Sequence, residues 1–462
     1  MEHIHIKNFL QQSGTVQKHS VLPDDYCMPA ISIDTRTLRK GETYIALRGD
    51  RFNGHDFIPD AITKGASAIV YDQAYYGETL SEEVAGFQVR DTLKFLMEYA
   101  GWYRSNFKVA VFALTGSTGK TTTKEMLAAV LRIKNQILKT QKNQNNFIGV
   151  SLTLLEFKKT TEIAIIELGT NHPGEISALT QIVQPTHAAI TNIGSGHIGF
   201  FGSKEAIYRE KIALFDGLSK DKTIYLNLED PYLSSYTNNT LKIQTYGLRS
   251  SCNYRATYSG MDERGHIRFH INAGPEIKLS IPGKHQLMNA VLAASVALNL
   301  GASISDVKRG LESVKAQDKR MELTDRDGVI IVNDAYNSNP ESLKAAIDFV
   351  DEIPIKSGNK KILVLGDMLE LGDQSEAEHR KIGEYLGNRN INVVFCYGSF
   401  SNLILEGLNN TASGSIVKEL FNTHESLARA LKDLIQEGDL ILLKGSRGMQ
   451  MEKVLKYLAK KG

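Results

Sequence analysis

The stretch Thr115-Gly116-Ser117-Thr118-Gly119-Lys120-Thr121-Thr122 decides how this chain is read. It follows the apolar run Val109-Ala110-Val111-Phe112-Ala113-Leu114 and precedes a helix-like segment, residues 123–131. A strand, a glycine-rich loop and a helix in that order are the setting of a phosphate-binding loop. Gly116 and Gly119 let the backbone curl so that N–H groups around Ser117, Thr118 and Thr122 turn toward one anion. The helix N-terminus adds its positive dipole end. Lys120 is then placed to reach the β- and γ-phosphates, and the Thr121 hydroxyl to ligate Mg²⁺. One position departs from the common pattern: Leu114 stands where a first glycine is usual. The competing reading is a strand–helix turn that holds no ligand.

Outward from the loop, the chain alternates strands and helices. Upstream, residues 43–47 and 68–71 read as strands, and 56–64 and 91–105 as helices, with a boundary near Asn106. Downstream, 163–166, 188–191 and 223–226 are apolar, β-branched runs of the kind buried in parallel sheets. A β-rich insertion is expected between 243 and 281, and two helices, 287–300 and 305–314, close that unit. The remainder repeats the rhythm, with strands at 329–332, 361–365, 392–395 and 440–443 and a polar loop at 409–415. Three α/β domains follow: 1–105, 106–315 and 316–462.

Composition narrows the class. At 462 residues the chain exceeds one ordinary domain. Its 54 Lys and Arg against 52 Asp and Glu leave a net charge of +2, without the polyelectrolyte surface of a nucleic-acid binder. Three scattered cysteines, Cys27, Cys252 and Cys396, form no disulfide framework or zinc cluster and suit a reducing compartment. No apolar run is long enough to span a bilayer, and the N-terminus does not read as a signal peptide. A cytoplasmic, multidomain enzyme is the expectation.

Polar clusters close several predicted strands, the edge where open α/β sheets bind ligands. Glu167 ends the run 163–166 and suits either a Mg²⁺ ligand or a solvated loop position. His197, in Asn192-Ile193-Gly194-Ser195-Gly196-His197, is a metal-ligand candidate or a structural histidine. Asn143, Asn145 and Asn146 form either a turn or an amide cluster for a polar substrate. In 333–340, Asn339 is a candidate helix cap and Pro340 the first helical residue. Arg320, just upstream, offers charge to phosphate. Asp367 and Arg447 end two further strands; together they could hold a zwitterion, ammonium on Asp367 and carboxylate on Arg447, or be two ordinary turns.

In order, these clusters resemble the Mur ligase family. The resemblance runs along nearly the whole chain, through 34–36, 54–57, 115–122, 143–150, 167–176, 192–202, 283–290, 334–340, 365–372 and 444–449. It implies a three-domain α/β architecture, with a central parallel-sheet P-loop ATPase domain and a Rossmann-like C-terminal domain. It implies ATP-driven amide formation through an acyl phosphate, within the branch that joins D-alanyl-D-alanine to UDP-N-acetylmuramoyl-tripeptide. The implied partners are those two substrates, with ATP and Mg²⁺; nucleic acid and membrane insertion are not expected, and a monomer is. By position, Lys120 binds phosphate, Thr121, Glu167 and His197 form the metal site, and Asn289, Arg320, Asp334 and Tyr336 contact ATP. Thr35, Arg36 and His55 fall in the uridine region. Lys211, on an expected helix after His197, resembles the place of an N-carboxylated lysine that accepts a second Mg²⁺. Lys142 stands where the family usually has Gly, Ser151 replaces a common Pro, and Gln450 a common Arg. Rival readings are a sister ligase that adds the third stem-peptide residue, whose Asp-Asn-Pro-Arg motif is missing here, and a nucleotide-dependent binding module.

Overall fold

The fold is that of a computed structural model, which describes residues 1–49, 52–72, 80, 83–316, 319–411 and 416–459. Among them, three sheets follow one another along the chain. In the first, Ala85–Val89, Ala68–Asp72, Thr43–Ile45 and Ile31–Ser32 pair in parallel, and Val16–His19 lies antiparallel on one edge.

The middle sheet has nine strands. Ala110–Thr115 lies third from one edge, with Ile163–Glu167 on one side and His187–Ile190 on the other. Every residue of Ile163–Glu167 is buried, which is why the run reads as continuously apolar. The chain leaves Ala110–Thr115, builds the strands on one side, then crosses to the other. That reversal opens a crevice at the carboxyl ends of the strands. The expected β-rich insertion is present and continues this sheet. Lys242–Gly247 pairs in parallel with Thr223–Asn227, and Tyr254–Met261, Ile267–Ile271 and Ile277–Lys278 extend the same sheet. Leu114 stands in place of the usual glycine because the strand runs on to Thr115, so Leu114 is fully buried core and the turn starts one step later.

In the third sheet, Val329–Asp334, Leu440–Lys444, Lys361–Gly366, Val393–Tyr397 and Val417–Phe421 are parallel neighbours. Glu322–Arg326 adds an antiparallel edge. The polar loop expected at 409–415 is in part helix, since Ser401–Thr411 runs through Asn409; residues 412–415 lie outside the described residues.

Local sequence sets the helix starts. Asp91 accepts from Lys94 N–H at 2.8 Å and caps Thr92–Ser105; Ser203 caps Lys204–Asp216. Asn339 and Ser342 form a reciprocal capping box, with Pro340 as first helical residue of Pro340–Glu352. No helix among the described residues is long and apolar enough to cross a membrane.

Candidate active site

The phosphate loop owes its shape to two glycines with left-handed φ, Gly116 at 146° and Gly119 at 81°. Neither tolerates a side chain. A Cβ on Gly116 would lie 1.8 Å from Thr191 Oγ1, and one on Gly119 would lie 2.2 Å from Asn289 Oδ1. The loop is braced from the neighbouring strand end. Asn192 accepts from Ser117 N–H through its carbonyl and from Thr118 N–H through its side chain, both at 3.0 Å. Thr191 Oγ1 donates to Thr118 O at 2.6 Å. Helix Lys120–Leu131 then begins with unpaired N–H groups, as any helix does. Lys120 Nζ folds back on the loop, donating to Gly116 O at 2.6 Å. Burial lowers its pKa, opposed by Glu167 and reinforced by Arg320.

Beside the lysine, Glu167 Oε1 accepts from Thr121 Oγ1 at 3.2 Å and from Asn145 Nδ2 at 2.9 Å. Its other oxygen faces Lys124 Nζ at 3.4 Å. Glu167 is therefore not a solvated loop residue but a buried carboxylate next to the phosphate loop. A hydroxyl and a carboxylate are the hard oxygen donors that Mg²⁺ accepts, usually few in number because phosphate and water fill the rest. These residues fit the ion. No three His, Cys, Asp or Glu side chains gather as a metal cage among the described residues. His197 lines the same cleft, with φ 62°, and its Nδ1 lies 2.7 Å from Glu370 Oε2.

The cleft, about 820 Å³, is closed by the third unit. The described residues that line it include Ser117 to Thr122, Asn145, Asn146, Glu167, His197 and Asn289 from the middle unit and Arg320, Asp334, Tyr336 and Arg447 from the third. Strand register explains part of this. Asp334 and Lys444 are paired residues on adjacent strands, and Lys444 Nζ meets Asp334 Oδ2 at 2.5 Å. The Arg320 guanidinium lies 3.7 Å over the Tyr336 ring. Asn289 donates to Gln286 Oε1 at 2.8 Å and accepts from Thr123 Oγ1 at 3.3 Å. Asn146 caps helix Phe147–Leu154, which is the turn reading, and Asn145 donates to Glu167 at 2.9 Å.

Lys211 is 2% exposed and makes no ion pair with a described residue. Burial, with Lys120 nearby, brings its pKa down to about 7 against the pull of Glu210.

One expectation is corrected. Asp367 does not face the cleft. It is 3% exposed and serves as a cap: its carboxylate accepts from Ser399 N–H at 2.8 Å, Phe400 N–H at 3.2 Å and Ser401 Oγ at 2.6 Å. These donors hold the carboxylate away from the cleft, so Asp367 meets no substrate ammonium there. Arg447 does line the cleft, with Glu452 2.8 Å from its guanidinium. Thr35, Arg36 and His55, expected in the uridine region rather than here, lie in the first unit, away from this cleft. Arg36 is exposed and held by Asp34, and Thr35 O accepts from Lys64 Nζ. His55 is buried; Asp72 N–H donates to its Nε2 at 3.0 Å and its Nδ1 meets Asn53 at 2.8 Å. Sequence reasoning missed Glu341 and Lys124, and passed over Asn192 and Glu370 within clusters it had marked. Only Glu341 left a signal, an acid in the first turn after the Asn339-Pro340 start.

Three family models match the chain in order: Mur ligase family, catalytic domain, over 29–104; Mur ligase middle domain over 114–297; and Mur ligase, glutamate ligase domain, over 319–447. The UDP-N-acetylmuramoyl-tripeptide–D-alanyl-D-alanine ligase of Bacillus subtilis is 37% identical over 93% of this chain and 92% of its own length. The enzyme of that name from Escherichia coli is 33% identical over 95% of each. Among solved structures, MurF from Acinetobacter baumannii superposes with a TM-score of 0.84 at 30% identity, covering 94% of this chain and 95% of its own. The MurF ligase from Thermotoga maritima in complex with ADP gives 0.82 at 28%, over 93% and 97%. A phosphate loop, a carboxylate beside it, a cleft closed by a third α/β unit and relatives matched end to end agree, and the chain belongs to the Mur ligase family.

Proposed function

We propose that this chain is the ATP-dependent ligase that joins D-alanyl-D-alanine to UDP-N-acetylmuramoyl-tripeptide in peptidoglycan precursor synthesis. The observation that carries it is one cleft in which the phosphate loop and Glu167 of the middle unit face Arg320, Asp334, Tyr336 and Arg447 of the third. A carboxylate is a poor electrophile; ATP makes it an acyl phosphate, which the dipeptide amine attacks with loss of phosphate. Catalysis here is positioning and neutralisation of charge. Lys120 and the N–H groups at the start of its helix hold the phosphates; those of Ser117 and Thr118 are taken by Asn192 and shape the loop. Thr121, Glu167 and His197 would hold Mg²⁺, which would offset phosphate charge. The buried Lys211 amine, its pKa brought down to about 7, would add CO₂ in its neutral form with loss of a proton, and the carbamate would offer Mg²⁺ a further oxygen donor. Asn289, Arg320, Asp334 and Tyr336 close on the nucleotide, and Arg447 takes the dipeptide carboxylate. Thr35, Arg36 and His55 mark the unit that receives the uridine end, His55 by shaping it rather than by contact. The units divide at about residues 105 and 315. The enzyme works as a monomer in the cytoplasm.

The test is phosphate release with all three substrates. Release and a product heavier by one dipeptide residue pair are expected only when ATP, UDP-tripeptide and D-alanyl-D-alanine are all present. Equal turnover with a single amino acid in place of the dipeptide would overturn the assignment.

A further inference from the structure

Two carboxylates of the third unit reach into the middle unit and grip one short segment. Glu341, in the first turn of Pro340–Glu352, accepts from Ser195 N–H at 3.0 Å, from Ser195 Oγ at 2.9 Å and from Lys204 Nζ at 2.8 Å. Glu370 accepts from Gly199 N–H through its carbonyl at 2.9 Å, and its carboxylate meets His197. Glu370 does this at φ 67°, a conformation that costs a non-glycine residue free energy and persists where surroundings impose it. The gripped segment leads directly to the phosphate loop. Gly194 N–H donates to Ser117 Oγ at 2.8 Å, and the Ser117 hydroxyl lies 3.1 Å from Gly194 O. Gly194 is wedged between the two: a Cβ there would lie 3.1 Å from the Glu341 carboxyl carbon and 3.3 Å from Ser117 Cβ. A continuous line of direct contacts thus joins the third unit to the nucleotide cradle, through Glu341, Ser195, Gly194 and Ser117. Its outermost link is a charged acceptor with three donors, the stronger class of hydrogen bond.

We propose that Glu341 is a positioning residue for phosphoryl transfer. When the third unit docks, its carboxylate fixes Ser195 and so sets Ser117 and the start of the phosphate loop. Docking therefore does more than complete the cleft; it adjusts the part of the cleft that belongs to the other unit. The proposal rests on the reading of this cleft as the nucleotide site.

The test uses the full-length chain, with Glu341→Ala, Glu341→Gln, Ser195→Ala and Lys204→Met. Hydrogen exchange of the amides in 194–203 is followed by mass spectrometry, alongside steady-state kinetics. Misplacement by about 1 Å can cost a hundredfold in rate, so Glu341→Ala is expected to lower kcat by roughly ten- to a hundredfold, with KM for the UDP-tripeptide within about twofold of wild type. Exchange in 194–203 should quicken by at least about tenfold, because local opening loses its partner in the third unit. Glu341→Gln keeps an acceptor for Ser195 and should recover part of kcat, while Ser195→Ala and Lys204→Met should show the same two changes in smaller measure. Unchanged exchange and kcat in folded Glu341→Ala overturn the proposal. If that variant does not fold, unchanged values in both Ser195→Ala and Lys204→Met overturn it. If wild type releases no phosphate with its three substrates, the functional reading falls, and the exchange data still decide whether Glu341 sets the segment.

Discussion

Lys142 shows how far one residue can sit from its own preference. Its φ is 46°, a region that side chains other than glycine enter at a cost, and its carbonyl accepts from buried Lys124 Nζ at 3.2 Å. The departure noted in the sequence, Lys where Gly is usual, is thus a backbone matter. Lys142→Gly is expected to stabilise the fold by about 0.5–1 kcal/mol, the left-handed penalty less the entropy of a freer unfolded chain. A urea midpoint that falls rather than rises would contradict this. Lys120→Ala is expected to lose on the order of a thousandfold in turnover with little change in melting temperature, since it removes charge at the transferred phosphate. Near-normal turnover in a folded variant would reject that role. These residues were legible because phosphate binding demands glycine, lysine and hydroxyl at fixed spacing. Asp367 was misread because a strand-end carboxylate looks the same whether it meets a ligand or caps a later helix. The donors that consume it, from Ser399 to Ser401, arrive on the next strand's loop.

Strands and helices carry their own tests. Strand His187–Ile190 begins with a histidine that burial holds neutral, its pKa brought down to about 4. Below the ordinary imidazole value of 6.5 the unfolded chain takes up this proton while the folded chain does not, so the unfolded state gains as pH falls toward 4. Stability attributable to His187 is therefore present above about pH 6.5 and declines through that window. The melting temperature of His187→Gln should fall less between pH 7 and pH 5 than that of wild type; parallel slopes would rule the histidine out. Where helix Ile304–Ser313 crosses Lys120–Leu131, a Cβ on Gly310 would lie 2.5 Å from Val130 Cα. Gly310→Ala is expected to cost about 1–3 kcal/mol in spite of alanine's better helix propensity, because backbone must move. A neutral or stabilising result by denaturant titration would show that the helices can part. Long buried strands and capped helices were legible. Glu322–Arg326 was not recognised although Asp327 and Gly328, both with positive φ, are the signal of a two-residue hairpin. Val417–Phe421 gave little apolar signal because most of its residues are exposed.

At the scale of the molecule, the link between units was the least legible part, since nothing local in Glu341 or Ser195 names the other. The same holds for helix Thr92–Ser105. It ends the first unit in sequence, yet Tyr103 Oη donates to Phe157 O at 2.9 Å and Arg104 donates to Val183 O at 3.1 Å and Phe107 O at 2.7 Å. One hydrophobic cluster runs from Ile6 to Leu442. A middle-unit fragment starting at residue 106 is therefore expected to be less soluble and to melt earlier than one starting at 91, because it bares the face that the helix covers. Equal melting curves would show that the helix belongs wholly to the first unit. The bracing of the phosphate loop by Asn192 and Thr191 has a calorimetric consequence as well. A cradle already stapled in place has little conformational freedom left to surrender. Nucleotide should enter with a small heat-capacity change and a modest entropy loss, unlike a loop that folds around its guest. Asn192→Ala should show up chiefly as a larger unfavourable entropy of ADP binding.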